Sequence, residues 1–504
     1  MAVAISSADL VRAVSGYEIP GLGSGFCLGI TSGTAAAHIV ARRLQLGDQS
    51  IQRAFEALAG LVPSLEGELM ALHRSYYVEG GKAEERPFKP VPRFDMSPPR
   101  SLVLLTLASN FAIVWECKQG HEGPVGINYL QKIELSQLPA LYGAILADVD
   151  YVCAGAGDPS GFPGLLRRLA CHEPVQKAVH VARASRHHKL AFDPRDFAPQ
   201  GGLQLTCPRF IAIVSTYPQA AQLEANDATR PYGFVFEGPS AGGHNAPPAG
   251  YQRFKGEPPR WGLNDLPELD RLANLRGPFW LAGEYGNPEG LKRALAAGAA
   301  GVQFGTILAF SAESGMAPAL RAAVLERIWR GELDVVTEPL MSPAGFPFKV
   351  AQVPGTISER SVRDERERWS CCDLGHLVTP LETRRHVVRA DGTSEEIAEL
   401  QMMCPAEPLE AFLRKGGLPL RRKDSICLCN ALMSAAGYPA IRGGRYLEPP
   451  IVTMGDQSAK DVRAIQKHTR SMAYSARAAL SYVLEGHGLS ARLQDFTAKL
   501  EAGV

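Results

Sequence analysis

Short apolar runs alternate with helical patterns from about residue 25 to residue 310. The runs 26–31 (FCLGIT), 125–128 (VGIN), 151–154 (YVCA), 210–214 (FIAIV), 233–237 (GFVFE), 279–282 (FWLA) and 301–304 (GVQF) are rich in β-branched and aromatic residues and flanked by Gly or Pro. They are apolar at consecutive positions, which predicts strands covered on both faces. Between several of them, residues 35–46, 138–147, 161–170 and 288–297 carry apolar side chains at helical spacing. Strand–helix alternation predicts a parallel sheet with helical crossovers. Seven or eight such units favour a closed α/β barrel, the (β/α)8 or TIM barrel, over an open sheet.

Three segments exceed a minimal barrel. Residues 47–100 read as a long insertion, with a helical pattern at 65–77 and a Pro-rich stretch at 89–100. Residues 101–107 add an apolar run, and 245–278, rich in Pro, Gly and Trp, read as a loop over one barrel end. Beyond residue 320 the rhythm stops. Helical patterns at 318–330 and 458–484 stand among Gly-, Pro- and Cys-rich loops, which predicts a barrel over 1–320 and a Cys-containing extension or cap over 321–504.

Charge narrows the partners. Lys and Arg total 53 against 52 Asp and Glu, a formal net charge of +1, so no overall basic field draws in nucleic acid or an anionic membrane. The start, MAVAISSADLVRAVSG, lacks the charged and apolar regions of a secretory signal, and the longest strongly apolar stretch, near 102–108, is too short to span a bilayer. The expectation is a cytoplasmic protein acting on a small molecule, with homo-oligomer formation left open. A disulfide framework does not suit that compartment. Yet there are ten cysteines, five between Cys27 and Cys207 and five crowded between Cys371 and Cys429.

Three motifs carry candidate chemistry. The first is EGPSAGGHN (237–245), directly after the run GFVFE. Adjacent glycines admit a flat ligand close to the backbone, and successive N–H groups cradle an anion. His244 would then sit just past a strand's carboxyl end, where barrel enzymes place catalytic groups. A turn with a surface histidine is the plainer reading. The second motif is the pair FWLAGEYG and AAGVQFGT, each a strand running into glycine. Gly283, Gly305 and Thr306 are placed to hold a phosphate, as the last two strand loops of barrels commonly do; ordinary turn glycines are the alternative. The third is the cysteine set Cys372, Cys404, Cys427 and Cys429. Four thiolates suit zinc or an iron–sulfur cluster, whereas free cysteines are often small buried apolar residues. His187 and His188, in the basic run RHHK, read as surface residues, and Cys117 and Cys153 as core.

The segments LGITSGTAAAHIVARRLQLGD (28–48), KQGHEGPVGINYLQKIEL (118–135), LYGAILADVDYVCAGAGDP (141–159), FVFEGPSAGGHNAPP (234–248), FWLAGEYGNPE (279–289) and SPAGFPFK (342–349) resemble the nitronate monooxygenase (nitropropane dioxygenase-like) family in order and spacing. The resemblance implies an FMN-dependent oxidoreductase that oxidises alkyl nitronates with O2. It assigns His244 as base or substrate-orienting group. It assigns Asn128, Gly242, Gly243, Gly283, Gly305 and Thr306 to the flavin, with Ser240 and Gln303 as weaker candidates. Two departures stand out. The family's first strand has no clear counterpart, so the barrel is expected to lack it or to fill its place with the run 101–107. A Glu, Glu284, follows Gly283 where a second glycine is usual. An enoyl-thioester reductase using NAD(P)H and a degenerate, non-catalytic barrel are the competing expectations.

Overall fold

The computed structural model describes residues 5–199, 203–255, 257–388 and 394–484. Seven strands form one sheet in chain order: β1 (Gly29–Ser32), β2 (Val125–Leu130), β3 (Tyr151–Gly155), β4 (Arg209–Val214), β5 (Gly233–Glu237), β6 (Phe279–Ala282) and β7 (Gly301–Gln303). Every neighbouring pair is parallel, so a helical or looped crossover separates each from the next.

The consecutive apolar pattern has a direct cause. One set of strand side chains, Cys153, Ile211, Val235 and Ala282, packs with Ile30 and Trp280 inside the curled sheet. The alternate set, including Val152, Phe210, Phe234 and Leu281, joins the larger core under the helices. The fold is an α/β barrel of the (β/α)8 type.

Among the described residues no strand joins β7 to β1. Residues 5–7 bridge the two edges instead. The Thr31 hydroxyl on β1 donates to the Ser6 carbonyl, and the Gly315 amide beyond β7 donates to the Ile5 carbonyl. The helix Ala8–Ser15 then packs Leu10 and Val14 into a cluster with Ile307, Phe310 and Leu480, the last from the helix Ala476–Leu484.

The run 101–107 does not fill that gap. It belongs to the helix Arg100–Cys117, which packs on the helices Ala36–Gln45, Ser50–Leu61 and Gln137–Leu146. Leu and Ala favour helix over strand, and a helix apolar all round belongs in a core. By length and composition alone this helix could cross a membrane, which corrects the expected shortness of the apolar stretch; 78% of it is buried inside the protein. The insertion holds the helices Ser50–Leu61 and Glu66–Tyr76, and the 458–484 pattern is two helices, Ser458–Thr469 and Ala476–Leu484, the first ending at the left-handed Arg470. The helix Pro318–Arg330 runs across residue 320, and the chain beyond it returns over the carboxyl ends of the strands.

Candidate active site

The loop after β5 is fixed by the extension. The Asn245 amide donates to the Pro347 carbonyl (3.0 Å) and the Lys349 amide to the Gly243 carbonyl (2.9 Å). The Gly243 amide donates to the Thr453 hydroxyl (2.7 Å) and the Asp456 amide to the Ser240 carbonyl (3.0 Å). The two glycines serve different ends. A Cβ on Gly242 would lie 2.8 Å from the Met454 backbone, so only glycine admits this close approach. Gly243 has φ +87° and nothing within 4 Å of a built Cβ, so the demand there is conformational and the space beside it is open.

That space is a cavity of about 1260 Å³ at the carboxyl ends of the strands. It exceeds the roughly 300–1,000 Å³ of ordinary small-molecule sites, leaving room for a cofactor and a substrate together. Asn128 of β2, Gly242, Gly243 and His244 after β5, Gly283 after β6, and Gln303, Gly305 and Thr306 of the β7 end all border it. Ser240 does not. Its hydroxyl lies behind the wall, 2.8 Å from where a Gly283 Cβ would stand.

His244 is not a surface residue. Its Nε2 shares a 2.6 Å hydrogen bond with the Ser342 hydroxyl, and its ring lies edge-on to Phe348 with centroids 4.8 Å apart. Burial, aided by the nearby Lys132 ammonium, holds the imidazole well below its ordinary value, so it is neutral at neutral pH. Burial also pushes Glu237, at the carboxyl end of β5, up to about 7, against the pull of Lys132. Lys132 itself is brought down to about 7 by burial, opposed by Glu237 and Cys429. Its Nζ has no hydrogen-bond partner and sits 4.6 Å above the Phe346 ring. The side-chain oxygens of Asn128 and Asn245 are likewise buried without partners.

Around the last two strands, Gly283 has φ +103° and Asn287 caps the helix Pro288–Ala296, accepting from the Gly290 amide (2.8 Å). Glu284 turns away from the loop toward Arg293 (3.3 Å). A carboxyl group that borders the cavity at this end is Asp461, from the first turn of the helix Ser458–Thr469. It accepts from the Asn287 amide group (3.2 Å), and burial pushes it up to about 6. Among the described residues no Lys or Arg borders the cavity. An anion here would rest on backbone amides and on hydroxyls such as Ser458, as helix termini and glycine loops allow.

The extension gathers Cys372, Cys404, Cys427 and Cys429 into one cluster, with Cys404 and Cys427 buried and Cys372 and Cys429 half-buried. Cys372 pairs with Cys404 and Cys427 with Cys429, and within each pair the first thiol is lowered and the second raised by that contact. Among the described residues no three His, Cys, Asp or Glu side chains are grouped to hold a metal ion, so the expected zinc geometry is not seen. Cys117 and Cys153 are buried in the core, and burial pushes each thiol up to about 12. His187 is exposed, but His188 is tucked against Glu382 of the hairpin strand Thr379–Val388 (3.8 Å), which corrects its expected surface position.

Sequence reading missed Lys132 and Asp461 and took Glu237 only as a motif's first letter. Glu237 had a signal, a lone carboxylate closing an apolar strand at the barrel's functional end. Asp461 lies on neither a strand end nor a glycine loop, and only the fold brings it to the cavity; Lys132, two residues past β2, does not border the cavity but stands near Glu237 and His244.

No family model matches the chain, and no curated protein matches it. Several solved structures are similar at low identity. FabK from Thermotoga maritima is 16% identical over 79% of this chain and 85% of its own, with TM-score 0.40. A nitroalkane oxidase from Streptomyces ansochromogenes is 16% identical over 99% and 95%, with TM-score 0.40. The enoyl reductase domain of MlnA from Bacillus amyloliquefaciens is 12% identical over 81% and 89%, with TM-score 0.40. The strand order and register of this chain, not these likenesses, define its fold.

Proposed function

We propose that the protein is an FMN-dependent oxidoreductase acting on the anion of a small carbon acid, with alkyl nitronates as the substrate class. One observation carries the reading. The glycine loops after β5, β6 and β7 meet around a single cavity that also holds a neutral histidine and a carboxyl group titrating near neutrality. The open side of Gly243 and the unpartnered Asn128 oxygen suit a flat heterocycle with N–H donors at its rim. Gly283, Gly305, Thr306 and Ser458 would hold its phosphate. Bound flavin would supply the two-electron acceptor that no side chain here provides.

The residues divide the remaining labour. His244, neutral and held at Nε2 by Ser342, orients the substrate's polar oxygens through its other nitrogen. A strongly depressed imidazole is a weak base. Glu237 is the better proton acceptor, because a group at about 7 is matched to work near neutral pH. The phenylalanines beside His244 exclude water from the reacting centre.

The test is steady-state turnover. Oxygen uptake on preformed alkyl nitronates, exceeding that on neutral nitroalkanes, supports the reading. Rapid flavin reduction by NAD(P)H with no nitronate turnover makes the protein a reductase instead.

A further inference from the structure

The cysteines of the extension have no part in that chemistry. Cys372, Cys404 and the pair Cys427 and Cys429 come from three separate segments, yet their side chains pack against one another with Ala406 and Val378. Among the described residues no three His, Cys, Asp or Glu side chains are grouped to hold a metal ion, so neither the zinc nor the iron–sulfur cluster expected from the sequence finds its ligand set. The thiols are grouped by twos instead. Cys372 touches Cys404, and Cys427 touches Cys429. All four are free. Two free thiols in contact are the reduced form of a disulfide.

Access and charge set Cys372 apart. It is half-buried, whereas Cys404 and Cys427 are 5% and 6% exposed. Contact with Cys404, helped by the exposed Arg93, brings the Cys372 thiol down to about 7 against the opposing effect of burial. Arg93 is held at that residue, because it also donates to the Cys372 carbonyl (2.9 Å). The thiolate is the form that attacks an oxidant, and such a thiol is in that form in large part near neutral pH. The adjacent Cys371 has no such help, since burial and Asp373 push its thiol up. Cys404 and Cys429 are raised by their partners. Cys427 is lowered, but it is buried, and the thiol it touches lies two residues on, in the first turn of the helix Leu428–Ala435.

We propose that Cys372 and Cys404 form a redox dithiol, in which hydrogen peroxide oxidises Cys372 and Cys404 closes the disulfide. In the first step the Cys372 thiolate attacks one peroxide oxygen. An S–O bond forms, the O–O bond breaks and hydroxide leaves, so the sulfur loses two electrons and the peroxide gains them. In the second step the Cys404 sulfur attacks the sulfenic sulfur of Cys372. An S–S bond forms, the S–O bond breaks, and the oxygen leaves as water with the Cys404 proton. The new bond ties Cys372 to the end of the strand Ser394–Met403. The turn after Cys372 already reaches the barrel. Leu374 packs on Ile39, and the His376 and His38 rings stand 4.8 Å apart, Ile39 and His38 both belonging to the helix Ala36–Gln45 that follows β1. Oxidation thus fastens the hairpin of the extension to the turn that seats it on the barrel.

In the test, the full-length protein is reduced, freed of reductant and treated with hydrogen peroxide. Remaining thiols are alkylated in denaturant and the peptides mapped by mass. The expected product joins the Cys372 and Cys404 peptides, is lighter by two hydrogens than the separate pair, and is split again by dithiothreitol. Cys404→Ser treated in the presence of dimedone should carry the trapped sulfenic acid at Cys372. Cys372→Ser should lose the link, while Cys207→Ser, on an exposed thiol, should keep it. Wild-type protein in which Cys372 and Cys404 are both alkylated after peroxide overturns the proposal, as does a link from either one to another cysteine. Both of those results are read on the wild-type chain and do not depend on how the variants fold. The link should form equally with and without added FMN, so its failure would leave the proposed function standing.

Discussion

Glu237 and His244 divide the proton chemistry by environment, and their variants should fail differently. Glu237→Gln keeps the shape of β5's end and removes the base. Nitronate handling needs little deprotonation, so the loss should appear on neutral nitroalkanes, about 10²–10⁴-fold in kcat/KM. The wild-type rate on neutral nitroalkanes should climb with pH through about 7, where Glu237 ionises beside Lys132 and His244, and the Gln variant should show no such rise. His244→Ala removes an orienting contact on both substrate forms, so about 10²–10³-fold should be lost on nitronates as well, by analogy with a lost oxyanion donor. Equal losses on both substrates for Glu237→Gln would contradict the division. Asp461 tests the phosphate side. Its carboxyl is raised from 3.8 to about 6, so folding favours the neutral acid. The stability this contributes is complete below 3.8 and is lost as pH rises through about 6. Above that point the ionised group also repels a bound phosphate. FMN affinity should therefore fall as pH rises through about 6, and Asp461→Asn should bind FMN more tightly, with the gain confined to the upper side of that range; fluorescence quenching of FMN measures both.

At the scale of elements, the glycine loop after β5 is only half of its own site. Residues 347–349 and 453–456 supply partners for its backbone. Thr453→Val leaves the Gly243 amide without an acceptor, a cost of about 1–3 kcal/mol for a buried donor. Thermal melts should show the loss, and FMN should bind more weakly. Gly242→Ala should be worse than Gly243→Ala for folding, because its Cβ meets fixed backbone rather than open space. The strands and their crossovers were legible in the sequence because both sheet faces are covered, so each strand reads as an unbroken apolar run. The helix Arg100–Cys117 was not, since a helix buried on every side shows the same unbroken run. The strap at 453–456 was invisible for a different reason. Its sequence, TMGD, has no periodicity, and its role comes from contacts more than 200 residues distant, such as Thr453 with Gly243.

For the whole molecule, the extension completes the barrel as well as covering it. The cavity draws Thr453, Ser458, Asp461 and Leu480 from beyond residue 320, and the helix Ala476–Leu484 helps close the side between β7 and β1. A chain ending at residue 330 should accordingly aggregate or bind no flavin, as gel filtration and absorbance would show. The side between β7 and β1, where no strand joins the two edges among the described residues, would then lose the helix Ala476–Leu484 that packs over it. Sequence alone fixed the position of the glycine loops but left open whether His244 was a surface residue, because its burial by Phe346, Phe348 and Ser342 is a property of the folded extension. The most direct test of the account is the flavin bound by the purified full-length protein, released by denaturation, identified by mass and quantified per chain, with a titration of added FMN on any apoprotein. The account predicts FMN near one per chain, or saturable uptake to that level. Protein that carries no flavin and takes up none would contradict it.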